Sequence, residues 1–123
     1  MSKILVIDDA DPWCSTVASE LEKAGHTVIR ARDEKEAVSS ASDEHPALVL
    51  VDMLIAVKAG AGFVRKLRSL PAMKRTPMLV VTAGTNRHAA EHALGQAANQ
   101  IITKDANSLN TIVERLAKLP LAG

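Results

Sequence analysis

Five polar side chains stand where apolar runs end, and their types suit one chemistry. Asp8 and Asp9 follow Ile4-Leu5-Val6-Ile7, and Asp52 follows Leu48-Val49-Leu50-Val51. Thr82 follows Met78-Leu79-Val80-Val81, and Lys104 follows Ile101-Ile102-Thr103. A carboxylate has no place inside a buried run, because burying it unpaired costs several kcal/mol or shifts its pKa strongly. Each of these groups therefore belongs at the point where the chain leaves the core. If the three carboxylates meet at ~4 Å, each pair repels by roughly 4 kcal/mol at an effective dielectric near 20. Either their pKa values rise or a cation sits among them. Oxygen ligands without His or Cys favour Mg²⁺, which needs few protein ligands and keeps several waters. Mg²⁺ beside a carboxylate, a hydroxyl and a lysine is the equipment of phosphoryl transfer, with Asp52 as nucleophile and an aspartyl-phosphate as product.

The elements must bring these residues together. Short β-branched runs of this kind read as strands buried on both faces, around Lys3–Ile7, Val28–Ile29, Ala47–Val51, Met78–Val81 and Ile101–Thr103. Between them lie helix signals. Asp11-Pro12 opens the first helix, Trp13, Val17, Leu21 and Ala24 recur at helical spacing, and Gly25 stops it. Asp33 with Glu36 resembles a capping box, and the helix it opens closes before Pro46. After Asp52 a flexible segment is expected over Ala56–Gly62, then a helix through Phe63, Val64, Leu67 and Leu70 that ends at Pro71. An Ala-rich helix face (Ala89, Ala90, Ala93, Leu94) and a clear amphipathic one (Leu109, Ile112, Val113, Leu116, Leu119) complete the alternation.

Strict alternation predicts an α/β domain: a five-stranded parallel sheet of order 2-1-3-4-5 with helices on both faces, flavodoxin-like. One such domain spans residues 1–123. In that order the switch point lies between strands one and three, where ligands bind at the carboxyl edge. Singly, each polar residue reads as a cap, a turn hydroxyl or a solvated head; their convergence on one edge points to a site.

Composition narrows the classes further. The chain has 123 residues, 47% of them hydrophobic, and a net charge of +1, which points neither to nucleic acid nor to a disordered acidic tail. Its apolar runs are too short for a membrane span, and no signal peptide is evident. A single cysteine, Cys14, allows no disulfide framework and suits a reducing, cytoplasmic setting; it is expected to pack in or near the first helix, without reactivity. One Trp, one Phe and no Tyr leave an aliphatic core.

Taken together, the acidic pair Asp8-Asp9, Asp52 43 positions after Asp9, Thr82-Ala83 30 positions after Asp52, and Lys104 52 positions after Asp52 resemble the CheY-like receiver domain of bacterial two-component response regulators. Gly60 fits the glycine after the phosphoacceptor loop. The resemblance covers essentially the whole chain and implies the following roles. Asp52 accepts a phosphoryl group from a sensor histidine kinase, a phosphotransfer protein or a small phosphodonor. Asp9 ligates Mg²⁺ directly, Asp8 acts through water, and the Leu54 backbone carbonyl and Asp52 complete the protein ligands. Thr82, the Ala83 backbone and Lys104 bind the phosphate. The product is a conformational switch read by an output domain or target protein, so the chain is a signalling domain rather than an enzyme. A homodimer through the face of the Ala89–Leu94 helix and the fifth strand is the assembly that the resemblance suggests.

The chain also departs from the family pattern. The loop after Asp52 carries neither the usual Pro nor the Asp-Gly, Lys104 is followed by Asp105 instead of Pro, and Ile101 replaces the strand-five aromatic. Leu54 and Gly84 stand where family side chains orient the hydrolytic water, so a long-lived phosphate is expected. The alternative is a pseudo-receiver, a phosphorylation-independent protein–protein interaction module. A haloacid-dehalogenase-type phosphatase wants a second Asp where Leu54 stands, and a flavodoxin lacks its stacking aromatics here. His88 and His92, four apart, read as an exposed pair.

Overall fold

The computed structural model of the chain describes residues 2–8, 12–59, 62–82 and 100–103. Its centre is a parallel sheet of five strands: β1 (Lys3–Ile7), β2 (Thr27–Ala31), β3 (Leu48–Asp52), β4 (Met78–Thr82) and β5 (Gln100–Thr103). Their order is β2-β1-β3-β4-β5, the doubly wound arrangement expected from the alternation of elements. Ile7 lies in register with Ala31 on one side and Val51 on the other, Asp52 with Val81, and Thr82 with Thr103.

The central strands are apolar on both faces because both faces are covered. Pleating sends alternate residues to opposite sides. Ile4 and Val6 of β1, Leu48 and Leu50 of β3, and Leu79 and Val81 of β4 turn to one side and bury Cys14, Val17 and Leu21 of α1 (Pro12–Lys23). The alternate residues Leu5, Ile7, Val49, Val51, Met78 and Val80 turn to the other. There they pack against α2 (Glu34–Glu44), α3 (Met53–Ala59) and α4 (Phe63–Ser69).

The helix boundaries follow local chemistry. Pro12 is the first residue of α1, and Gly25 just beyond its end adopts φ 96°, a conformation that costs a Cβ-bearing residue about 1–2 kcal/mol. Asp33 caps α2 by accepting from the Glu36 backbone N–H at 2.8 Å. The reciprocal half of the box is displaced by one residue, since Glu36 Oε2 accepts from the Arg32 N–H at 3.1 Å.

One expectation is corrected. The segment after Asp52 is helical from Met53 to Ala59, where a flexible stretch over Ala56–Gly62 was expected. No Gly or Pro interrupts residues 53–59, and burial of Ile55 and Ala56 against the sheet rewards the helical turn. The following helix ends at Ser69, and Pro71 opens a 3-10 turn, Pro71–Met73. Arg68 Nη1 secures that turn by donating to the carbonyls of Met73 at 3.0 Å and Thr76 at 2.6 Å. Among the described residues no helix is long and apolar enough to cross a membrane. The expected helices around Ala89–Leu94 and Leu109–Leu119 lie outside the described residues.

Candidate functional site

The carboxyl ends of β1, β3 and β4 carry Asp8, Asp52 and Thr82, and these polar side chains are almost wholly enclosed, at 1%, 1% and 2% exposure. Their placement follows from register and pleat. Asp8 directly follows Ile7, the partner of Val51, so Asp8 and Asp52 are neighbours at the central pair of strands. Both continue the alternation that faces α1: Ile4 and Val6 of β1 and then Asp8 just beyond it, and Leu48, Leu50 and Asp52 of β3. Asp52 is level with Val81, which puts Thr82 one residue further along the same edge. Three of the expected groups therefore share the sheet's carboxyl edge, with Asp8 and Asp52 at its switch point.

Two side chains that sequence spacing did not single out complete the surroundings. Arg30 of β2 lies on the same side of the sheet and spans to Asp8. Its Nε donates to Asp8 Oδ1 at 3.3 Å, and its Nη2 donates to Oδ2, a fork across both carboxylate oxygens. Its remaining nitrogen, Nη1, donates to the Ser15 hydroxyl of α1 at 3.2 Å. The Arg30 side chain stays 36% exposed, so it reaches the buried carboxylate from the rim. A cavity of about 250 Å³ opens beside it, lined by Asp8, Ser15, Arg30 and Arg32.

Cys14 is the second. It is buried in the first turn of α1, and its Sγ lies 4.0 Å from Asp52 Oδ2, with the S–H as donor. Burial pushes the thiol up to about 12, and the charges of Asp52 and Asp8 push in the same direction, against the smaller opposite effect of Arg30. Cys14 is thus a neutral hydrogen-bond donor to the carboxylate. Its placement in the first helix matches expectation, while its contact with Asp52 was not foreseen. The signal for both was the pleat: Arg30 shares the parity of Asp8 across β2, and Cys14 begins the α1 face that covers Asp52.

The remaining expected residues divide. Asp9, Ala83, Gly84 and Lys104 lie outside the described residues, as do Asp105, His88 and His92. Leu54 falls within α3. In an α-helix a carbonyl points along the axis to the N–H four residues on. A carbonyl oxygen carries two lone pairs, so this placement leaves one for a ligand role. Among the described residues no three His, Cys, Asp or Glu side chains form a metal cluster. Asp8 and Asp52 offer oxygen donors alone, the ligand type that suits Mg²⁺.

Residues 4–117 match the model of the response regulator receiver domain. The chain belongs to that family. It is 31% identical over 102 residues to the alkaline phosphatase synthesis transcriptional regulatory protein PhoP of Bacillus subtilis, covering 83% of this chain and 42% of PhoP. The receiver thus spans less than half the length of that relative. The chemotaxis response regulator CheY4 of Vibrio cholerae is 27% identical, with a TM-score of 0.76 over 98% of this chain and 99% of CheY4. The receiver domain of a Pseudomonas aeruginosa sensor histidine kinase shares the fold, with 24% identity and a TM-score of 0.79 over 96% of each chain, and that protein holds a magnesium ion in its active-site cleft. The receiver fold and a place in phosphorylation-based signalling are what these likenesses share. A docking-only module is not the reading they favour.

Proposed function

We propose that this receiver domain is phosphorylated on Asp52. The observation that carries the reading is the enclosure of Asp52 at the carboxyl end of β3, beside Asp8 and one residue short of level with Thr82. A carboxylate held there has no structural task that an apolar residue would not perform better. As nucleophile, an Asp52 oxygen forms a bond to the phosphorus of a phosphohistidine or an acyl phosphate. The bond from phosphorus to the donor breaks, and the donor departs with that electron pair. The Thr82 hydroxyl donates to a phosphoryl oxygen, the Ala83 N–H does the same, and the Lys104 ammonium pairs with a third. Cys14 remains a neutral donor at the carboxylate and withdraws no proton.

Asp8, Asp9 and Asp52 are the residues that would hold Mg²⁺. The ion supplies neutralisation of the charge gathered on the carboxylates and the transferred group. The donor set supports this, and so does the magnesium in the related histidine-kinase receiver. The kinase or phosphotransfer protein that supplies the phosphoryl group, and the output domain or target that reads it, are the partners this chemistry requires. Their setting is the cytoplasm, and the chain's own phosphorylation and dephosphorylation are its only reactions. A homodimer through the face of the Ala89–Leu94 helix and β5 belongs to the same proposal.

Incubation with acetyl phosphate and Mg²⁺, followed by intact-mass measurement, tests this. The wild-type chain should gain one phosphoryl group, and both Asp52→Asn and chelation of Mg²⁺ should abolish the gain. An unmodified wild-type chain would overturn the proposal.

A further inference from the structure

Asp8 is a buried carboxylate whose described cationic partner comes from the chain itself. The Arg30 guanidinium takes both of its oxygens, and Arg30 is in turn tethered to α1 through Ser15. Burial of a charge at 1% exposure requires such compensation. Yet the reading above assigns Asp8 a second cation, Mg²⁺. Two positive charges then lay claim to one carboxylate. The fork engages one lone pair on each oxygen and cancels the charge of Asp8, and a cation among Asp8, Asp9 and Asp52 would meet Arg30 as a like charge across that group.

We infer that Arg30 is a built-in counter-cation that competes with the divalent metal for Asp8 and lowers the affinity of the site for it. Arg30 is a positioning residue here, acting through Asp8. Three features fit the role. Arg30 approaches from the rim of the edge strand β2, it is 36% exposed, and the cavity of about 250 Å³ beside it leaves the guanidinium a path from Asp8 into solvent. Arg32 lines the same cavity, and its like charge favours Arg30 remaining on Asp8 over moving away from it. Asp8 is thereby compensated in the metal-free site, and metal binding includes the work of displacing or opposing one internal charge. This inference rests on the proposed Mg²⁺ site.

The test is calorimetric titration of the metal-free full chain with MgCl₂, for wild type, Arg30→Gln and Arg30→Lys. Arg30→Gln should bind Mg²⁺ roughly tenfold more tightly, a size usual for coupling between two ligands of one protein. Arg30→Lys, which keeps the charge, should stay within about threefold of wild type. Thermal unfolding supplies a second readout. Without metal, Arg30→Gln should melt below wild type, because Asp8 is left buried without its counter-ion, and saturating Mg²⁺ should close most of that gap. If Arg30→Gln is unfolded without metal, Mg²⁺ should refold it, as followed by circular dichroism, and failure to refold counts against the inference. Binding by wild type with equal or weaker binding by Arg30→Gln overturns the inference alone. No binding by either protein overturns the metal-site reading and the inference with it. Binding by Arg30→Gln only supports both.

Discussion

At the scale of single residues, the site is a balance of charge in a closed space. Asp8 and Asp52 sit on adjacent strands with almost no solvent, and each is met by a donor of a different kind: a guanidinium for one, a thiol for the other. The carboxylates were legible in the sequence because a charge that ends an apolar run has few places to go. Arg30 and Cys14 were not, because their distance in sequence from Asp8 and Asp52 says nothing about shared parity across a pleated sheet. The Cys14 thiol, raised to about 12 from an ordinary 9.0, has a consequence for stability. Its folded pKa lies above its unfolded one, so its contribution is fully present below about pH 9 and is lost as pH rises through about 12. Urea unfolding in chelator at pH 8 and pH 10 should show wild type losing more stability than Cys14→Ala over that interval. Equal losses would mean that the thiol titrates normally.

At the scale of elements, the strands were readable and one helix was not. Residues 4–7, 48–51 and 78–81 are apolar without alternation, which only a sheet covered on both faces demands, and all three strands stand where expected. The segment after Asp52 misled because Gly60 and Gly62 drew attention to flexibility, while Met53–Ala59 contains nothing that breaks a helix. The tertiary burial of Ile55 and Ala56 decided the matter, and local sequence does not display it. Leu54, expected to offer its backbone carbonyl at the edge of the site, lies within that helix. The α2 cap is a simpler case, foreseen from Asp33 and Glu36. Asp33→Ala removes the acceptor of the Glu36 N–H, and a loss of about 1 kcal/mol should appear as a lower denaturant midpoint with an unchanged slope. A midpoint unmoved from wild type would show that the cap is dispensable.

At the scale of the whole molecule, the sheet serves to place side chains that cannot meet otherwise. Asp8 and Asp52 are 44 positions apart and Thr82 lies 30 further on, yet strand order and register set all three on one edge. The order β2-β1-β3-β4-β5 followed from strict alternation and the handedness of crossovers, so the place of the site was predictable before any contact was known. Membership of the response regulator receiver family gives that edge its biological context. The central claim is that the edge exists to phosphorylate one carboxylate, and borohydride trapping tests it most directly. After acetyl phosphate and Mg²⁺, reduction converts an aspartyl-phosphate to homoserine, and peptide mass spectrometry locates the change. Homoserine at position 52 alone is the predicted result. Homoserine at position 8 or 9, or at none of the aspartates, would contradict it.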